Sequence, residues 1–328
     1  MSSDTASPLR VVTMFRFEPH EIERMREVSS RPLEITICES RAAFLEALPA
    51  AEVIYGELSG EDLARAPRLR WVQLGSAGVD GVDRRLRESP VLLTNFAGTF
   101  APGIAETAFG LLLSLTRGLR RYYIPQVLRH EWKPVGSPKS ADHVEIAGRT
   151  MGIVGMGGIG RAIARTACHG FEMRVVATDA RFSERPDFVA ELHPPSWFPE
   201  MVPQVDVLVA AAPLTPETER MFNESVFRAM KSEAYFLALS RGMLYDDMAL
   251  ARALQEGWIA GAGLDVFPQE PPPPDHPLFE CPNVVMSMHT SGWGPARQRR
   301  LVELFADNLR RYAAGEPLRN VVDKQLGF

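Results

Sequence analysis

Residues 150–167 read TMGIVGMGGIGRAIARTA, and no other stretch restricts the fold of this chain as strongly. An apolar run with the look of a strand leads straight into Gly155, Gly157 and Gly160, spaced G-x-G-x-x-G, and a helical pattern follows at once. A strand turning this tightly into a helix opens a βαβ unit of a parallel sheet. The first glycine serves the tight turn, the second lets a pyrophosphate approach bare backbone, and the third lets helix and strand pack closely. The helix N-terminus then offers unpaired N–H groups and a positive dipole end to phosphate. The next apolar run, RVVAT at 174–178, leads to Asp179, and 179 − 160 = 19 residues separate that acid from the last glycine. An acid at this spacing takes ribose hydroxyls and repels a 2′-phosphate, so NAD is expected over NADP. Arg181, two residues on, tempers the preference, because an arginine there could hold that phosphate.

Strand–helix alternation extends on both sides of this loop. Before it, apolar runs at 11–15, 33–38, 51–55, 71–74 and 91–94 are separated by amphipathic stretches such as EPHEIERMREV at 18–28. Helical patterns cover 99–117 and 119–131, and KPVGSPKSADH at 133–143 reads as a loop. A second strand series occupies 150–155, 174–178, 205–212, 234–239, 259–266 and 283–288, and a final helix over 294–315 stops at Gly315. The expected class is α/β, with two Rossmann-like or flavodoxin-like parallel-sheet domains.

A chain of 328 residues with 45% apolar content suggests about two domains and a large core. The net charge is 36 − 41 = −5 with no long basic block, so nucleic acid is not an expected partner. Cys38, Cys168 and Cys281 are odd in number, far apart and without a CxxC, which fits a reducing compartment and no metal site. The start, MSSDTASPLR, has no cationic region followed by an apolar one, and the longest apolar run, 108–115, is too short to span a bilayer. A soluble, cytoplasmic protein is expected.

Reduction of a ketone by hydride builds negative charge on the carbonyl oxygen, which calls for a fixed cation and a proton donor. If the substrate is a 2-keto acid, a guanidinium also matches its carboxylate with a forked geometry. Arg241 in ALSRGMLYDD, Glu270 in LDVFPQEPPPP and His289 in SMHTSGWG each lie just past the C-terminal end of an expected parallel strand. Open α/β sheets bind ligands at that edge. Singly, such residues are more often a surface turn, a solvated acid and a structural histidine; their shared placement beside the glycine loop makes them candidates for chemistry.

With these residues in place, the chain resembles the D-isomer-specific 2-hydroxyacid dehydrogenase family, which includes glyoxylate/hydroxypyruvate reductases, D-lactate dehydrogenases and phosphoglycerate dehydrogenases. The matching stretches include LGSAGVDGVD (74–83), TNFAGTFAPGIAETAFGLLLSLTR (94–117), TMGIVGMGGIGRAIA (150–164), APLTPETERMF (212–222) and AGAGLDVFPQEPPPPDHPLF (260–279). The resemblance implies that residues 1–100 and 291–328 form a substrate-binding domain and 101–290 an NAD-binding domain, with a cleft between them. It implies that Arg241 binds the substrate carboxylate and carbonyl oxygen, His289 is the acid and base, and Glu270 pairs with His289 and favours its charged form. Gly155, Gly157, Gly158, Ile159, Gly160, Asp179, Pro213, Leu239, Ser240, Asp265 and Gly292 would meet the cofactor. Ser76, Ala77, Gly78, Arg241 and Trp293 would meet the substrate, a small 2-keto or 2-hydroxy acid. A homodimer built on the 119–145 region, with Tyr122, Tyr123 and Trp132 on it, is also implied.

Two positions depart from the family's pattern: Met288 stands where proline is common, and the bulky Trp293 follows the histidine. Both bear on the choice of substrate more than on the reaction. Glu270 argues against the related formate dehydrogenases, which carry glutamine there. Phosphite dehydrogenase shares the trio, and C-terminal-binding-protein corepressors keep the fold as NAD sensors, so these two readings stay beside the first.

Overall fold

The computed structural model describes residues 7–136, 143–181 and 184–328. The chain's first six residues and the 137–142 part of the expected loop lie outside them. The chain divides into two compact units, Met1–Thr99 with Gly294–Phe328, and Phe100–Trp293.

The first unit is a five-stranded parallel sheet of β1 (Leu9–Thr13), β2 (Leu33–Ile37), β3 (Val53–Tyr55), β4 (Trp71–Gln73) and β5 (Leu92–Thr94), in the order β2-β1-β3-β4-β5. The strands β3 and β4 are buried throughout, so β3 is a continuous apolar run and β4 carries one polar residue, the buried Gln73. The helix Ala296–Ala314 returns to this unit because Phe305 packs between Phe17, Tyr55 and Trp71, with ring centroids 4.8 to 6.1 Å apart. Its buried Asn308 accepts the Arg319 N–H at 2.8 Å and donates to the Arg319 carbonyl, which ties the segment after the helix back onto it. The buried Trp71 indole donates to Thr94 and Thr94 to Gln73, both at 2.8 Å, so this polar cluster inside the core is paired.

The second unit is a seven-stranded parallel sheet of β6 (Thr150–Val154), β7 (Arg174–Thr178), β8 (Glu191–His193), β9 (Val207–Ala210), β10 (Tyr235–Ala238), β11 (Gly261–Leu264) and β12 (Val284–Met286). Their order is β12-β11-β10-β9-β6-β7-β8. The chain therefore builds outward from β6 in one direction, then reverses, and the switch point lies between β6 and β9. One face packs the helices Ala101–Thr116 and Gly158–Phe171 against Met151, Ile153, Val207 and Leu237. The other buries Val154, Leu208, Phe236 and Tyr245 under the helices Glu224–Ala229 and Asp247–Gln255.

Every expected strand is present; β1 begins and ends two residues earlier than expected, β7 keeps its expected bounds, and the others are shorter by one to four residues. The three-residue β8 has no expected counterpart, because ELH is too short to carry a period. The expected helix over 119–131 is broken: Gly118, at φ 67°, ends the helix Ala101–Thr116, a π-helical turn spans Leu119–Tyr123, and an α-helix covers only Ile124–Leu128. Pro125 has no N–H to carry the helical ladder through this stretch. Gly315, at φ 71°, stops the final helix as its sequence suggests.

Candidate active site

All the candidate residues of the second unit follow strand C-termini, so parallel register alone gathers them on one edge of its sheet. At β6, Gly155 has φ +96°, and a methyl there would lie 2.7 Å from the Ala212 backbone; a methyl on Gly160 would meet the Gly155 carbonyl at 1.9 Å. These two glycines are required by the protein's own packing. Gly157 is different. It is the N-cap of the helix Gly158–Phe171 at φ −70°, and a methyl there would meet nothing within 4 Å. The space beside it is a cradle that a side chain would fill. Ile159 packs against the core as it enters the helix. Asp179 leans over the loop, one carboxylate oxygen accepting the Met156 N–H at 2.5 Å and the other the Arg181 N–H at 2.7 Å. Pro213 follows β9, its carbonyl accepting the Thr218 hydroxyl, and buried Leu239 and Ser240 follow β10.

The strands β11 and β12 bring the acid and the histidine together. His289 Nδ1 lies 2.7 Å from Glu270 Oε2, and Glu270 Oε1 accepts the Phe267 N–H at 2.9 Å. The carboxylate is thus held at one oxygen and offers the other to the imidazole. With Nδ1 donating to Glu270, Nε2 is the nitrogen left for chemistry. His289 itself sits at φ 52°, in the left-handed region that costs a non-glycine residue on the order of 1 kcal/mol. Its N–H donates to the Asp265 carbonyl at 2.7 Å, which holds it there. Strain maintained at a residue with acid–base chemistry points to function rather than to packing.

Asp265, 1% exposed, is the brace of this turn. Its carboxylate accepts the Ser287 hydroxyl at 2.8 Å, the Thr290 N–H at 3.0 Å, the Ser291 N–H at 3.2 Å and the Ser291 hydroxyl. A buried carboxylate needs such donors to offset its lost hydration. Phe267, Ser287, Thr290 and Ser291 were not among the candidates from sequence; the signal was the cluster of hydroxyl residues on both sides of His289 in SMHTS.

Arg241 is half-buried at the end of β10, with Nη1 donating to its neighbour's carbonyl, Ser240 O, at 2.9 Å. Gly292 lies against Phe100, whose Cβ a methyl would meet at 3.1 Å. Met288 and Trp293 are 73% and 68% exposed. Ser76, Ala77 and Gly78 belong to the other unit. There the Ser76 carbonyl accepts the Phe96 N–H at 2.9 Å, the Ala77 carbonyl accepts Asn95 at 2.8 Å and the Gly78 carbonyl accepts the Ser76 hydroxyl at 2.7 Å. Ser76 and Gly78 line a cavity of about 360 Å³ with Glu57, Ser59 and Asp83. Among the described residues, no helix is long and apolar enough to cross a membrane, and no group of three His, Cys, Asp or Glu could hold a metal ion.

Residues 109–291 match the sequence profile of the D-isomer specific 2-hydroxyacid dehydrogenase, NAD binding domain. The chain is 38% identical over 275 residues to a glyoxylate reductase of Korarchaeum cryptofilum, covering 82% of this chain and 80% of the relative. With a glyoxylate reductase of Thermococcus gammatolerans it shares 33% identity over 328 residues, 98% of this chain and 95% of the relative. Among solved structures, an NADPH-dependent glyoxylate/hydroxypyruvate reductase of Sinorhizobium meliloti, in complex with NADP and sulfate, superposes with a TM-score of 0.80 at 26% identity, covering 97% of this chain and 99% of that one.

Proposed function

Because the chain belongs to the D-isomer specific 2-hydroxyacid dehydrogenase family, we propose that it interconverts a 2-keto acid and a D-2-hydroxy acid with NAD(H), His289 serving as acid and base. Family membership makes it an NAD(P)-dependent 2-hydroxyacid dehydrogenase; the substrate, the cofactor preference and the residue roles are our reading. The observation that carries it is the 2.7 Å contact of His289 Nδ1 with a Glu270 carboxylate itself anchored to the Phe267 N–H.

The residues of the glycine loop fit a dinucleotide. The open space at Gly157 admits a pyrophosphate against the helix N-terminus, and Asp179 beside Met156 is placed for ribose hydroxyls. Gly158, Ile159, Pro213, Leu239, Ser240, Asp265 and Gly292 are assigned to the same cofactor. When bound, the cofactor supplies the hydride. In the reduction direction Arg241 anchors the substrate carboxylate and draws charge onto the carbonyl oxygen. His289 Nε2 delivers the proton to that oxygen, and Glu270 holds the imidazole in the orientation that does so and serves as counter-charge to its cationic form. A general acid placed this way contributes about 10²–10⁴-fold. The carboxylate of Asp179 favours NADH over NADPH, although the Sinorhizobium relative is named for NADPH.

The unit Phe100–Trp293 is assigned to the cofactor and the unit Met1–Thr99 with Gly294–Phe328 to substrate, through Ser76, Ala77 and Gly78. Trp293 and Met288 are assigned to the wall that selects substrate size, and small acids such as glyoxylate and hydroxypyruvate fit the relatives' names. Leu128 and Trp132, 77% and 95% exposed, give the region after the helix Ala101–Thr116 an apolar face suited to a homodimer. The scattered cysteines favour a cytoplasmic setting. The test is oxidation of NADH and NADPH over a panel of glyoxylate, hydroxypyruvate, pyruvate and bulkier 2-keto acids. Turnover with D-hydroxy acid as product is expected; saturation by cofactor with no turnover on any of them supports a sensor instead.

A further inference from the structure

The loop that carries Glu270 runs from Val266 to His276, and Pro268 and Pro271 to Pro274 leave it with few N–H groups to tether itself. Besides the Glu270–His289 contact, it is tethered by one short segment, residues 242–247, directly after Arg241. Gly242 lies flat on the loop's base: a methyl there would sit 1.9 Å from the Phe267 carbonyl carbon. Tyr245, fully buried, donates its hydroxyl to the Val266 carbonyl at 2.8 Å. Burial first, then the negative charges of Asp247 and Glu270, push the Tyr245 phenol well above its ordinary range, so it remains a donor. At the loop's far end His276, 7% exposed, places Nε2 3.0 Å from Asp247 Oδ2. Its Nδ1 accepts the Leu278 N–H at 3.3 Å, which leaves Nε2 as the proton-bearing nitrogen facing Asp247. The Phe267 and His276 rings meet edge to face at 5.8 Å and close the loop between its two tethers.

We infer that Tyr245 and the Asp247–His276 pair are positioning residues that set the Glu270 carboxylate against His289, so that the segment bearing Arg241 also governs the proton-donor couple. The inference rests on the reading of Glu270 and His289 as that couple. It makes the two halves of the proposed chemistry one mechanical unit: a shift of the Arg241 turn carries the Glu270 loop with it.

The test is a double-mutant cycle on kcat and KM for NADH-driven reduction of hydroxypyruvate, with NADH affinity measured alongside. Y245F and D247A are each expected to lower kcat about tenfold or more, as misplacement of a reacting group does, with KM for hydroxypyruvate and NADH affinity little changed. D247N, which still offers His276 an acceptor, restores kcat. In an E270A background, adding Y245F or D247A changes nothing further, because both act through the missing carboxylate. Should Y245F fail to fold, the part-exposed Asp247 carries the same cycle. E270A lowering kcat while Y245F and D247A leave it intact, or multiply with it independently, overturns the inference alone. E270A leaving kcat unchanged removes the couple itself, and the inference with it.

Discussion

Replacing Gly157 by alanine separates what the glycine loop does for the fold from what it does for a ligand. Gly157 has φ −70° and ψ −162°, extended backbone that alanine shares, and a methyl there meets no atom within 4 Å. Less unfolded-state entropy should stabilise the variant by about 0.4–1 kcal/mol. Alanine is a poorer N-cap than glycine by a similar amount, roughly 0.5–1 kcal/mol. The two nearly cancel, so thermal unfolding of G157A should stay within about 2 °C of the parent. In the proposed cofactor site, the methyl nevertheless stands where the pyrophosphate would approach the helix N-terminus. Losing one charge-assisted N–H contact, about 1.5–3 kcal/mol, raises the Kd for NADH about tenfold to a hundredfold. G155A is the contrast: at φ +96° and 2.7 Å from the Ala212 backbone it should cost roughly 3 kcal/mol or more through backbone strain and overlap. Differential scanning fluorimetry and a fluorescence titration with NADH give both readouts. NADH binding by G157A at parental strength would refute the assignment of this loop to the pyrophosphate.

Two further outcomes follow from other parts of the molecule. Trp293→Ala should change relative kcat/KM across a series of 2-keto acids, with bulkier side chains gaining about tenfold; an unchanged ranking rules Trp293 out of the substrate wall. Asp206 accepts Lys231 at 2.9 Å and the Thr150 N–H at 2.8 Å. Burial alone would raise its carboxyl, but those bonds and the charges of Lys231 and Arg149 outweigh it and hold it below the usual range. A depressed carboxyl stabilises the fold above its unfolded value, about 3.9, and that contribution is lost as pH falls through the folded value. Asp206→Asn should therefore cost about 1.5 kcal/mol at pH 7, and the gap in melting temperature between variant and parent should narrow near pH 3. A gap that persists unchanged in acid counts against it.

The parts legible in the sequence are those set by local period and spacing. The run TMGIVGMGGIG announces strand, turn and helix within eleven residues, and parallel pairing of the following strands puts Arg241, Glu270 and His289 on one edge. Its distance from Gly160 singles out Asp179, whose carboxylate accepts the Met156 N–H of the loop. What stayed hidden depends on contacts distant in sequence. The resemblance places Asp265 at the cofactor, but nothing in the sequence shows that it braces the His289 turn through Ser287, Thr290 and Ser291, more than twenty residues on. No sequence pattern marks Tyr245, and only the tertiary structure shows its hydroxyl on Val266. The π-helical turn at Leu119–Tyr123 escaped because its apolar spacing is that of an α-helix, and β8 because three residues carry no pattern.

The central claim is that His289 donates the proton in 2-keto acid reduction from a Glu270-held orientation. Steady-state reduction of hydroxypyruvate by parent and H289Q, with NADH affinity measured on both, tests it most directly. A kcat about 10²–10⁴-fold lower is expected in the variant, with NADH binding close to the parent's. A variant that turns over within a few-fold of the parent contradicts it.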